Sequence, residues 1–184
     1  KNNTMTFVAG SSWQPDEDLF IEYFNQHPEV KLVIAPHVID ENHLVEIIRK
    51  LKRPYVRYTR ADEKNVRKAD CLIIDCFGLL SSIYRYGEIA YIGGGFGVGI
   101  HNTLEAAVYG IPVIFGPKYQ KFQEAIQLLE AKGAFSVKDY EELKTLLDRM
   151  LTDEVFLRES GMNASNYVTG NAGATDKIMS MINF

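Results

Sequence analysis

The residues best suited to chemistry stand together in Gly93-Gly94-Gly95-Phe96-Gly97-Val98-Gly99-Ile100-His101-Asn102-Thr103-Leu104-Glu105, where five glycines in seven positions lead into Asn102 and Glu105. A loop without Cβ atoms lets backbone N–H groups approach an anion closely, and a following helix start adds more donors. Gly94, Gly95, Gly97, Asn102 and Glu105 are therefore candidate ligand-binding residues, and the segment reads as a phosphate seat. The spacing excludes two common phosphate loops. Gly93, Gly95 and Gly97 meet Val98, Ile100 and Asn102 at i+5, where a dinucleotide fingerprint needs glycine. Gly94 and Gly99 have the Walker separation, but Ile100-His101 stands where Lys-Ser/Thr is required. Asn102 and Glu105 also have the spacing of a capping box, and on spacing alone a helix cap is the first reading of the pair.

Other polar residues read more plainly. His101 has a side chain suited to proton transfer, yet a single histidine at a helix start is first of all structural. Asp75 follows an apolar run and reads as the cap of the next turn, and Lys118 as an exposed lysine. Tyr84, Tyr86 and Tyr91 lie beside apolar residues and read as core. His27, His37, His43 and His101 are dispersed without a Cys or carboxylate at ligand spacing, so no metal site is expected. Asp16-Glu17-Asp18 fills an Asp-x-Asp pattern, but acids at a helix start favour the helix dipole without any metal.

These residues need a scaffold, and the apolar patterning supplies one. Strand-length runs near 5–9, 31–35, 55–58, 71–75, 89–92 and 112–115 alternate with helical patterns near 16–25, 41–51, 79–86, 103–109 and 122–132. A short extended piece at 134–137 precedes helices near 138–151, 153–167 and 174–182. Such alternation predicts an α/β fold, a Rossmann-like parallel sheet with helices on both faces, as one domain over residues 1–184. In that fold the carboxyl ends of the strands line a ligand crevice. They carry Gly10-Ser11-Ser12, Pro36-His37, Asp75-Cys76-Phe77-Gly78, the glycine loop and Gly116-Pro117-Lys118.

Composition agrees with an ordinary globular domain: 184 residues, 46% hydrophobic and 24% charged. No run is long enough to span a bilayer, and no secretory leader is visible ahead of the first strand. Cys71 and Cys76 match no zinc or redox spacing, and a reducing, cytoplasmic setting follows. Nine basic residues between Arg49 and Lys68 face only Asp62 and Glu63 there. The run reads first as solvated surface and second as a seat for an anionic ligand or acidic lipid surface. Nucleic acid is not expected, because aromatics are not interleaved with these charges and the net charge is −4.

Three segments carry a resemblance: Asp75-Cys76-Phe77-Gly78-Leu79-Leu80-Ser81-Ser82-Ile83-Tyr84; Tyr91-Ile92-Gly93-Gly94-Gly95 with His101-Asn102-Thr103-Leu104-Glu105-Ala106-Ala107; and Ile111-Pro112-Val113-Ile114-Phe115-Gly116-Pro117. Together they resemble the carboxyl-terminal domain of 3-deoxy-D-manno-octulosonic acid (Kdo) transferases. That resemblance implies a GT-B glycosyltransferase whose Rossmann-like half binds CMP-Kdo, with transfer to a lipid A precursor in lipopolysaccharide inner-core synthesis. It implies inversion at the sugar, no metal and no cofactor. It also implies an acceptor half, carrying the catalytic carboxylate and membrane anchor, outside these 184 residues, so no catalytic residue is expected within them. The full-length enzyme would work at the cytoplasmic face of the bacterial inner membrane, with the basic run facing its anionic surface.

By the same resemblance, Asn102 belongs at the donor phosphate, Glu105 at the ribose hydroxyls and Phe77-Gly78 beside the cytosine. Ser11 and His37 complete the expected donor site with two departures. Pro36-His37 stands where the family has Pro-Arg-His, and Ser11-Ser12-Trp13-Gln14-Pro15 where many members have Ser-Thr-His-Glu-Gly. Two alternatives remain open: another GT-B domain acting on a UDP-sugar, as transferase or epimerase, and a non-catalytic nucleotide-binding module.

Overall fold

The computed structural model describes residues 4–97 and 99–173. The expected helix at 174–182 lies outside them. In chain order the elements are β1 (Met5–Ser12), α1 (Gln14–Gln26), β2 (Val30–Pro36), α2 (Glu41–Lys50), β3 (Tyr55–Arg57), α3 (Glu63–Val66), β4 (Cys71–Ile73), α4 (Leu80–Ile83), β5 (Ile89–Ile92), α5 (Leu104–Ala107), β6 (Val113–Phe115), α6 (Gln123–Glu130), β7 (Ala134–Ser136), α7 (Tyr140–Thr152) and α8 (Glu154–Asn171). Single 3₁₀ turns follow β3 and α4.

The seven strands form one sheet in the order β3-β4-β2-β1-β5-β6-β7, and every pairing is parallel. Chain direction across the sheet reverses between β1 and β5, so the switch point that opens a ligand crevice lies between the ends of those two strands. Alternate strand residues feed two cores. Phe7, Ala9, Ile34, Ile73 and Tyr91 point toward α1, α2 and α7, packing on Phe20, Phe24, Leu44, Ile47 and Leu147. Val8, Ala35, Ala90, Val113 and Phe115 point toward the opposite layer, packing with Tyr84, Ala106, Leu128 and Ala164. Burying each large apolar side chain stabilises the fold by about 1.5–3 kcal/mol, which is why strands covered on both faces read as continuous apolar runs.

Several polar residues lock this frame. Asp40 caps α2 by accepting from the N–H groups of Asn42 and His43, a device that contributes about 1 kcal/mol. The Arg53 guanidinium donates to the carbonyls of Phe24, His27 and Val30 at 2.8, 2.8 and 2.9 Å, pinning the turn between α1 and β2. Arg57 bridges Glu41 and Asp75 at 2.8 Å each, and Lys50 pairs with Asp18 at 2.6 Å. The basic run is therefore divided: three members are tied into the fold, while Arg49, Lys52, Arg60, Lys64, Arg67 and Lys68 are exposed.

Three local expectations change. Asp75 does not cap the next turn; it accepts from the Thr59 N–H at 2.9 Å, the Thr59 hydroxyl at 2.6 Å and Arg57. Burial alone would raise its pKa, but these bonds outweigh that and hold it below the ordinary carboxylate value. Tyr84 and Tyr91 are buried as expected, whereas Tyr86 is 69% exposed, because the 3₁₀ turn after α4 rotates it outward. The one-turn helix α3 arises inside a stretch with no apolar period, held by Asp62 accepting from Lys64 and Asn65 N–H groups at 2.8 Å.

Candidate functional site

The β1 end is tightly built. Ser11 has φ of 51°, a left-handed conformation that a residue with a Cβ adopts at a cost of about 1–2 kcal/mol. The next residues enter α1, whose first turn turns inward. Asp16 and Glu17 are 1% and 0% exposed. Asp16 accepts from the Gly94 N–H at 2.9 Å, the Trp13 N–H at 2.9 Å and the Tyr91 hydroxyl at 3.0 Å, joining α1 to the glycine loop. Glu17 accepts from the Ser12 hydroxyl at 2.9 Å and meets His43 Nε2 at 2.9 Å. Burial raises the pKa of both acids despite these bonds. Burial would lower that of His43, but the Glu17 bond and charge outweigh it, so His43 holds its proton above the ordinary histidine value. The expectation that these acids only serve a helix dipole is thus corrected: they are tertiary anchors beneath the site.

The glycine loop packs backbone against backbone. A Cβ on Gly93 would stand 2.2 Å from the Ser11 carbonyl oxygen, and one on Gly95 2.6 Å from both Cα and N of Gly116. Gly94 has φ of 95° and its N–H is engaged by Asp16. Gly97 differs: among the described residues other than its chain neighbours, nothing lies within 4 Å of where its Cβ would be. Most of the glycine richness is therefore explained by close packing of the loop, and Gly97 alone among Gly93, Gly94, Gly95 and Gly97 faces open space.

After the loop, the Asn102 side chain accepts from the Leu104 N–H at 3.0 Å and donates to Glu105 at 3.3 Å. Asn102 thus covers one N–H at the helix start, whereas Glu105 bonds the Asn102 side chain and no backbone donor; α5 is a single turn, so local N–H groups matter there and a macrodipole does not. No group among the described residues accepts from the N–H groups of Asn102 or Thr103.

Two hollows of about 240 Å³ each flank this loop. One is lined by Ser11, Pro36, His37, Cys76, Phe77 and Gly78, with Ala35, Ile39, Ile74 and Leu80. The other is lined by Gly97, Gly99, Lys118, Gln120, Lys121 and Phe122. Four expected site residues thus share the first hollow and Gly97 borders the second. Phe77 is 81% exposed, an aromatic face left open. Lys118 is exposed and donates to the Gly97 carbonyl at 3.2 Å. Gly94 and Gly95 are buried in the loop's packing. Trp13, Asp16, Glu17 and His43 were missed as site residues. The adjacent acids at a helix start were visible in the sequence, and their burial was not.

His101 donates its backbone N–H to Gly93 O at 3.2 Å. Burial, and then the neighbouring His37, lower its pKa. Among the described residues no group of three His, Cys, Asp or Glu could hold a metal, and no helix is long and apolar enough to cross a membrane.

A seven-stranded parallel sheet of this order, with its crevice at the β1/β5 switch point, has the fold of the carboxyl-terminal Rossmann-like domains of GT-B glycosyltransferases. No family model matches the chain. Its curated relatives include Kdo transferases and a bifunctional glycosyltransferase/methyltransferase of Fusobacterium nucleatum. It is 34% identical over 151 residues to the 3-deoxy-D-manno-octulosonic acid transferase of Aquifex aeolicus, covering 79% of this chain and 41% of that protein. It is 32% identical over 190 residues to that of Rickettsia felis, covering 98% of this chain and 40% of that protein. The chain therefore spans about two fifths of the length of these relatives. Among solved structures it is similar to the carboxyl-terminal CMP-Kdo binding domain of WaaA from Acinetobacter baumannii, with a TM-score of 0.77, 19% identity and 90% of each chain covered.

Proposed function

We propose that this chain is the donor-binding half of a Kdo transferase: it holds CMP-Kdo while an acceptor half supplies the lipid A precursor and the catalytic base. The observation that carries this reading is the convergence of Ser11, His37, Phe77 and Gly78 on one hollow at the switch-point edge, beside the glycine loop and the unengaged N–H groups of Asn102 and Thr103. The cytosine stacks on the open face of Phe77 next to Gly78, where φ of 87° favours glycine and no atom of the described residues beyond its chain neighbours lies within 4 Å of a Cβ. The phosphate lies toward Asn102, and Glu105 receives the ribose hydroxyls. Donors fixed before the reaction stabilise the charge that grows on the departing CMP, because they need no reorganisation as the bond breaks. Kdo then passes to the acceptor with inversion, in a displacement whose base belongs to the other half. In the full-length protein the exposed basic residues from Arg49 to Lys68 face the anionic cytoplasmic surface of the inner membrane.

Calorimetry of the chain with CMP, CDP and UDP tests the donor assignment. CMP binding in preference to UDP, without transferase activity, is the expected result. Preference for UDP, or no nucleotide binding, overturns it. Liposome binding that ignores acidic lipid content overturns the membrane contact.

A further inference from the structure

Three rings meet where β1, β2 and the glycine loop converge. Trp13 stacks on His37 with centroids 4.7 Å apart and planes at 26°, and His37 stacks on His101 at 4.4 Å and 27°. The Trp13 Nε1–H donates to His101 Nε2 at 3.3 Å. An indole N–H can only donate, so Nε2 is the unprotonated nitrogen and His101 is held as the neutral Nδ1–H tautomer. The ring of His37 lines the hollow that contains Phe77 and Gly78. The ring of His101 lies against the glycine loop, its Cδ2 3.3 Å from where a Cβ on Gly94 would stand. The imidazole pair therefore joins the hollow to the loop, and among the described residues no lysine or arginine lines that hollow.

We propose that the stacked imidazoles of His37 and His101 form a proton-gated seat for the phosphate of a bound nucleotide, with Trp13 as a positioning residue that holds the neutral form while the site is empty. The proposal rests on the nucleotide-binding reading and adds to it how the negative charge is met. A guanidinium is charged at all relevant pH values, whereas an imidazole must first take up a proton. A positive charge on one of two rings this close disfavours a second on the other, so the seat takes up a single proton. The hollow also holds the free thiol of Cys76, and the charged groups at this edge have partners of their own. Asp16 holds the Gly94 and Trp13 N–H groups and the Tyr91 hydroxyl, and Glu17 holds Ser12 and His43. Glu105 is bonded to Asn102, and Lys118 to Gly97. An arriving phosphate favours the protonated imidazole, so binding takes up a proton. Affinity then falls as pH rises between the imidazole pKa of the empty site and that of the filled site, by up to about tenfold per pH unit for one proton.

The test uses cytidine 5′-methyl phosphate, a phosphodiester whose single charge does not titrate near neutrality. Calorimetry from about pH 5.5 to about pH 8.5, in buffers of different ionisation enthalpy, reads affinity and proton uptake together. Uptake approaching one proton is expected, with affinity declining through that range. Trp13→Phe keeps an aromatic ring but removes the donor to His101. It moves the decline to higher pH and raises the His101 titration midpoint seen by NMR in the free protein. His37→Gln and His101→Gln each flatten the pH profile. A phosphodiester that binds with no proton uptake and the same affinity at every pH overturns the seat and leaves the nucleotide reading standing. Failure of CMP itself to bind overturns both.

Discussion

Substituting alanine at Gly95 and at Gly97 separates packing from binding within one loop. At Gly95 the added methyl carbon would lie 2.6 Å from the Cα and N of Gly116, backbone atoms that can move only by shifting the end of β6. Overpacking of this kind destabilises by about 1–3 kcal/mol. A chain of this size loses about 2–4 °C of melting temperature per kcal/mol, so Gly95→Ala is expected to melt about 2–12 °C lower. At Gly97 no atom of the described residues beyond its chain neighbours lies within 4 Å of the new methyl, and the backbone is outside the left-handed region. Reduced freedom of the unfolded chain then gives a gain of about 0.4–1 kcal/mol, so Gly97→Ala melts at or slightly above the parent temperature. Its CMP affinity nevertheless falls, by about tenfold if the methyl displaces the ligand enough to lose one good contact of about 1.4 kcal/mol. Thermal melts and CMP calorimetry on the two variants measure this directly. Equal destabilisation by both substitutions refutes the packing argument, and parent-like CMP affinity in Gly97→Ala removes Gly97 from the site.

Ser11→Gly relieves the strained φ of 51° and is expected to raise the melting temperature by a few degrees, about 2–4 °C for each kcal/mol recovered; an unchanged or lower value means that the Ser11 side chain stabilises the turn by as much as the strain costs. Phe77→Ala leaves stability unaltered, because the ring is 81% exposed, but removes a stacking contact of about 1–3 kcal/mol and so weakens CMP about 5- to 150-fold by calorimetry; unchanged affinity places the base elsewhere. His43→Gln removes a folded-state proton site whose pKa is raised by Glu17. The stabilisation His43 gives is fully present below its unfolded pKa of about 6.5 and is lost as pH rises through the higher folded value. Denaturant melts should therefore show the parent ahead of the variant at acidic pH, with the gap closing in alkali; a gap that widens with pH contradicts the Glu17 pairing.

What the sequence reveals here depends on how far a residue's partner lies along the chain. Strand β5 is read at its observed ends because an apolar run bounded by glycine is a local signal, and the parallel sheet follows from repetition of that signal. Asp16 and Glu17 are misread because their local context, a helix start, supplies a sufficient reason for acids. Their actual partners, Gly94 and His43, stand 78 and 26 positions away. The Trp13–His37–His101 stack is invisible for the same reason: no periodicity links three rings on three separate loops. The glycines make the sharpest case. Gly95 and Gly97 are the same letter two positions apart, yet one is required by the Gly116 backbone and the other by nothing in the described fold. A glycine-rich loop therefore points to close approach without saying what approaches. Only where the structure leaves the space empty, as at Gly97, does the residue point to a ligand.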